Sequence, residues 1–145
     1  MSAETNKAIV RRYYEEVLNQ HNLTIIDELF AADFKSHTRH AYVDLQQYVE
    51  AVERSHQAFP DLQVTIEAQI AEGDLVATRW SAKGTHQGVF AGIQPTGKEI
   101  IVTAMHFHRL ADGKITDHWE QFDFAGVVQQ LGILSGINTQ RRSRT

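Results

Sequence analysis

Residues 106–123 read HFHRLADGKITDHWEQFD. Apolar and polar residues alternate on both sides of ADG, the mark of two antiparallel strands joined by a tight turn. The same stretch holds His106, His108 and His118 together with four carboxylates. Which of these share a face depends on the turn. With Asp112-Gly113 as a two-residue type I′ loop, Ala111 pairs with Lys114 and His106 faces Trp119. With Ala111-Asp112-Gly113 as a three-residue loop, Leu110 pairs with Lys114 and His106 lies opposite His118. The second register gathers His106, His108, His118 and Glu120 on one face with Ile100, Val102 and Phe122. It leaves Ile101, Met105, Phe107, Ile115 and Trp119 on the other. It is preferred because Ala111 suits the first position of a type I turn and tolerates no positive φ.

Working outward, the period changes from two to about 3.6. Leu62, Val64, Ile66, Ala68 and Ile70 alternate as a strand, EGD at 72–74 turns the chain, and 75–83 returns as its hairpin partner. Residues 84–97, rich in glycine and carrying Pro95-Thr96-Gly97, form a loop; strands follow over 98–110 and 114–122. Upstream, Ile9, Val10, Tyr13, Tyr14, Val17 and Leu18 make a helical stripe, with Thr5 as the expected N-cap and a break at 19–22. A second helix is expected over 24–30 behind Thr24. A third, over 44–58, is capped by Asp44 and ended by Pro60. Residues 124–131 read as a short terminal helix capped by Asp123. The tail, residues 138–145, reads as disordered. Helices first and strands after them give a single α+β domain spanning 1–145, with three N-terminal helices covering one face of a curved antiparallel sheet.

Composition narrows the function. The chain of 145 residues has a formal charge of −4 and no basic stripe before its last residues, which argues against nucleic acid. It has no cysteine, so disulfides, thiolate catalysis and thiolate-ligated metals are excluded. No apolar run approaches a membrane span and MSAETNK is no signal peptide, so the expectation is a cytoplasmic protein. A half-apolar concave face bearing a few ionisable groups is how small-molecule sites look.

Three runs carry a family resemblance: NKAIVRRYYEEVLNQHNLTIIDELFAADF, AFPDLQVTIEAQIAEGDLVATRWSAKGTHQGVFAGIQPTGKEI, and HRLADGKITDHWEQFD with QQLG. From about Asn6 to Gly132 the chain resembles the SnoaL-like polyketide cyclases, or ester cyclases. The most specific part is GTHxGxFxGIxPTGK joined to DGKIxxxWExxD. The resemblance implies the cone-shaped fold shared by nuclear transport factor 2 and ketosteroid isomerase, closed around a deep pocket. It also implies a homodimer or homotetramer through the outer face of the sheet. In such cyclases an aspartate on the last strand is the general acid/base of an intramolecular aldol closure, without cofactor or metal. Aligned through DGKI, that position is Glu120 here, one methylene longer, and the family's pocket histidine falls on His106.

Glu120 and His106 are therefore the expected catalytic pair, acting on an apolar carbonyl compound by aldol-type closure or a related isomerisation or hydrolysis. His118, His108, His37, Tyr14, Tyr48, Trp80 and Phe90 are the expected substrate contacts. His86, before the glycine loop, is placed to orient that loop. Two rivals remain: a binding protein for an apolar ligand without chemistry, and a zinc hydrolase built on His106, His108 and His118.

Overall fold

The computed structural model describes residues 2–132. Helix α1 (Ala3–Arg12) is capped by Ser2, whose side chain accepts from the Thr5 amide; the cap is three residues earlier than expected. The helix then widens into a π-helical segment, Tyr13–Asn19, that buries Tyr13 and Tyr14 side by side. A 3-10 turn, Leu23–Ile25, capped by Asn22 rather than Thr24, leads into the single turn of α2 (Ile26–Leu29). Phe30 belongs not to that helix but to a strand, β1 (Phe30–His37), followed by β2 (Tyr42–Val43). Helix α3 (Leu45–Ala58) begins at Asp44 as expected, in a reciprocal capping box with Gln47. Then come β3 (Gln63–Glu72), β4 (Leu75–Thr85), β5 (Glu99–Ala111), β6 (Lys114–Phe122) and α4 (Phe124–Gln130), with Asp123 capping α4.

The six strands form one curved, unclosed sheet in the order β2-β1-β6-β5-β4-β3. All neighbours are antiparallel except β1 and β6, which run parallel. The fully antiparallel sheet expected from the sequence is corrected there. Register shifts bend it: between Phe30 and Lys35 in β1, between Ile66 and Ala68 in β3, and after Arg109 in the β5–β6 pair. Such shifts raise local twist and curl a sheet into a concave surface. Along β5 burial alternates at every residue, with Ile100, Val102, Ala104, His106, His108 and Leu110 inward. Helix α1 lies against β3 and β4, α3 against β1, and α4 against the start of β5.

The β5–β6 turn has two residues, not three. Ala111 pairs with Lys114, and Asp112 and Gly113 have φ of 51° and 78°. Asp-Gly is well suited to the two positive φ values of a type I′ turn, and this outweighs the suitability of Ala111 for a type I turn. One extra residue on β6, between Ile115 and Asp117, then restores the parity that a three-residue loop would have given. His108 pairs with His118 and His106 with Glu120. Ile115, expected on the outer face, precedes this bulge and so points inward, fully buried.

Helix α3 presents Tyr48 and Val52 to the interior, so its cap also sets one wall of the site. Replacing Asp44 by Ala is expected to destabilise the protein by about 1 kcal/mol, the usual worth of such a cap. A lower urea midpoint at unchanged m-value checks this.

Candidate active site

Between the inner face of the sheet and α3 lies a cavity of about 350 Å³. Its walls are apolar: Val52, Phe59, Ala82, Phe90, Ile100, Val102 and Val127 among them. The polar groups that reach it are His106, Glu120 and the hydroxyls of Tyr13, Tyr48 and Ser55, with the Trp80 indole alongside. Phe90 sits on a tight turn closed by pairing with Ile93, where Ala91 and Gly92 both have positive φ. It packs on Phe59 and Phe124 at the mouth. His86 anchors the base of that loop: it is fully buried, and its Nδ1 accepts from the Thr96 amide at 3.1 Å.

His106 organises the floor. Its Nε2 lies 2.5 Å from Glu120 Oε2, the residue directly across the β5–β6 ladder. Its Nδ1 lies 3.0 Å from Trp80 Nε1 and 2.5 Å from the Tyr14 hydroxyl. An indole N–H can only donate, so Nδ1 is the acceptor and the ring proton sits on Nε2, directed at Glu120. His106 is 2% exposed, whereas the Glu120 side chain keeps 33% of its surface, which places the carboxylate at the cavity boundary. Burial pushes the Tyr48 hydroxyl pKa well up, with the Glu120 charge adding to it, and burial does the same for Tyr13 and Tyr14. All three stay protonated near neutral pH; Tyr14 donates to His106 Nδ1, and of Tyr13 and Tyr48, which meet hydroxyl to hydroxyl, one donates to the other.

Behind His106 lie two more imidazoles. His108 and His118 pair across the ladder, fully or almost fully buried, with ring centroids 5.1 Å apart and 5.0 and 4.4 Å from His106. Ser36 of β1 lies 3.1 Å from His118 Nδ1. Among the described residues, His118 Nε2 and both nitrogens of His108 have no hydrogen-bond partner. Burial first, then the neighbouring histidines, holds both imidazoles well below the ordinary histidine range.

Of the expected substrate contacts, then, Tyr48, Trp80 and Phe90 line the cavity with His106 and Glu120, while Tyr14, His108 and His118 form a layer behind it. His37 stands apart: its Nε2 is 2.9 Å from Asp117 and its ring stacks on Trp119 at 4.6 Å. Tyr13, which meets Tyr48 hydroxyl to hydroxyl, and Ser36 were not singled out from the sequence. The adjacent tyrosines in the helical stripe were the available signal for Tyr13. Ser36 had none, because its strand was not foreseen.

With this geometry in view, comparison with known proteins is informative. The SnoaL-like polyketide cyclase profile matches residues 8–131. The chain belongs to that family. A crystal structure of AclR, a proposed hydroxylase of Streptomyces galilaeus, superposes with a TM-score of 0.88 at 29% identity, covering 99% of this chain and 90% of AclR. IdmH, a proposed polyketide cyclase of Streptomyces antibioticus, gives 0.78 at 30% identity, covering 88% of this chain and 98% of IdmH. Among curated relatives, the nogalonic acid methyl ester cyclase of Streptomyces nogalater is 41% identical over 49 residues, 34% of this chain and 37% of that protein. The aklanonic acid methyl ester cyclase DnrD of Streptomyces peucetius is 35% identical over 60 residues, 41% of each chain. The matched stretches thus span about two fifths of the curated relatives' length. Among the described residues no helix is long and apolar enough to cross a membrane.

The depressed His108 and His118 pKa values carry a stability consequence. An unfolded chain takes up protons on both residues as pH falls through about 6.5, and the folded chain does not. Stability is therefore full above that pH and declines below it, with each histidine adding at most about 1.4 kcal/mol per pH unit. Urea midpoints in chelator-containing buffer should fall from pH 7 to pH 5, and less steeply once both residues are asparagine.

Proposed function

We propose that the protein is a cofactor-independent cyclase that closes a ring in an apolar, carbonyl-rich substrate by intramolecular aldol chemistry. The observation that carries this reading is the His106–Glu120 pair at 2.5 Å on the floor of a largely apolar cavity. Glu120 is the general base. It removes a C–H proton made acidic by flanking carbonyl groups and returns a proton to the alkoxide formed when the new C–C bond closes. His106 is its positioning partner: the Nε2 proton holds Oε2, leaving Oε1 to meet substrate. Because that proton is already engaged, the Tyr48 hydroxyl is the better placed donor to the enolate oxygen, and its raised pKa keeps it protonated. Trp80, Phe59 and Phe90 supply flat apolar surface for the substrate.

The names of the curated relatives support this class, and the methyl esters of aklanonic and nogalonic acid are the first substrates to test. AclR is described as a proposed hydroxylase, so similarity of fold does not choose the reaction. The acid/base pair is what supports the aldol reading. Glu120→Gln keeps the shape and removes the base; turnover is expected to fall by about 10²–10⁴-fold, with ligand binding by fluorescence nearly unchanged. A fully active Gln variant would remove Glu120 from the mechanism.

The outer face of the sheet supports self-association. Ile70, Ile101, Met105 and Phe107 are more than half exposed, and a groove of about 410 Å³ runs past Ile70, Met105, Phe107 and Trp119. A row of large apolar side chains on a sheet face fits a second copy of the chain. Phe107→Glu is expected to shift the wild-type oligomer to monomer in light-scattering measurements while the far-ultraviolet spectrum is unchanged.

A further inference from the structure

The acid/base pair leaves two buried imidazoles without work. Among the described residues, His108 offers both ring nitrogens to no partner, and His118 offers Nε2 to none while Ser36 faces its Nδ1. Buried polar groups in folded proteins are almost always paired, so unpartnered nitrogens clustered together indicate a missing partner. One nitrogen from each of His106, His108 and His118 lies within 4.8 Å of the others. We propose that these three histidines form a binding site for a divalent transition-metal ion of the zinc and cobalt class.

The donor chemistry selects that class. Imidazole suits zinc, cobalt, nickel and copper, whereas magnesium and calcium need oxygen-rich sites that this floor does not provide. Two histidines at alternate positions of one strand and a third across the ladder put three imidazole donors on rigid elements. Ser36 supplies the outer contact that ligating histidines usually have: with the His118 Nδ1 proton given to its hydroxyl, Nε2 carries the free lone pair. His106 completes the site by giving up its bond to Glu120 at Nε2, or those from Trp80 and Tyr14 at Nδ1. This inference does not depend on the cyclase reading, since the ion is assigned to side chains that the reaction leaves idle together with one that it uses.

The test uses tag-free full-length protein stripped with EDTA and titrated with Co²⁺, followed by visible absorption. Expected are d–d bands that saturate near one ion per chain, are displaced by Zn²⁺, and accompany a rise in melting temperature. His108→Asn and His118→Asn should each weaken binding by roughly 100-fold or more, whereas exchanging the stacked His21–His56 pair for asparagine should leave it unchanged. Should either inner variant fail to fold, imidazole ¹⁵N shifts of the wild type replace it: Zn²⁺ must move the resonances of His106, His108 and His118 and spare the others. Absence of uptake by the wild type, or uptake indifferent to His108 and His118, overturns the site. Turnover by stripped protein is a separate readout, so the cyclase reading stands or falls independently.

Discussion

The pairing of β5 with β6, and the single extra residue within it, is the constraint on which the interior depends. Side chains alternate with period two, so a one-residue slip sends every group on a strand to the opposite face. Ile115 lies before the bulge and points into the core; His118 and Glu120 lie after it and also point inward. Without the bulge, the type I′ turn would send Trp119 inward and Glu120 out. With it, a carboxylate stands directly opposite His106. The same slip leaves Trp119 on the rim, where it stacks with His37.

Placing three histidines in a core is unfavourable unless their protons are directed, and the surrounding elements direct those of His106. Trp80 on β4 is a donor without acceptor capacity, so it settles the tautomer. Tyr14 reaches the same nitrogen from the π-helical segment, whose wider winding lets Tyr13 and Tyr14 both face inward. Three elements, β4, β6 and the π-helical segment, thus converge on one imidazole of β5. Such convergence fixes the ring's orientation and, through Nε2, that of the Glu120 carboxylate that the proposed reaction uses as base.

Much of this was legible in the sequence because it follows from local pattern. The helical stripe, the capping aspartates at 44 and 123, both hairpins and the membership of the histidine face all rest on periodicity and turn chemistry. What was missed depends on tertiary contact. β1 reads FAADFKSH, which has little intrinsic strand preference and is made a strand by lying beside β6. The π-helical widening leaves no mark in a stripe that an ordinary helix explains equally well. The face was assembled correctly from the wrong turn, because a three-residue loop and a two-residue loop plus one bulge share the same parity. Ile115 is the residue that separates them, and it was the residue misplaced.

The glutamate at position 120 brings these points together. Directly opposed residues on paired strands have Cβ atoms about 4.5–5.5 Å apart, closer than diagonal neighbours, and this pairing is what lets the Glu120 carboxylate meet the His106 imidazole. It also brings Glu120 to the edge of the histidine cluster. His106 stands where the proposed acid/base pair and the proposed metal site meet, and its chemistry forbids full service to both. A nitrogen that donates its proton to Glu120 has no lone pair for an ion, and the other nitrogen already accepts from Trp80. The two states of this floor are therefore alternatives at one imidazole, and the bulge that created the pair also created the competition.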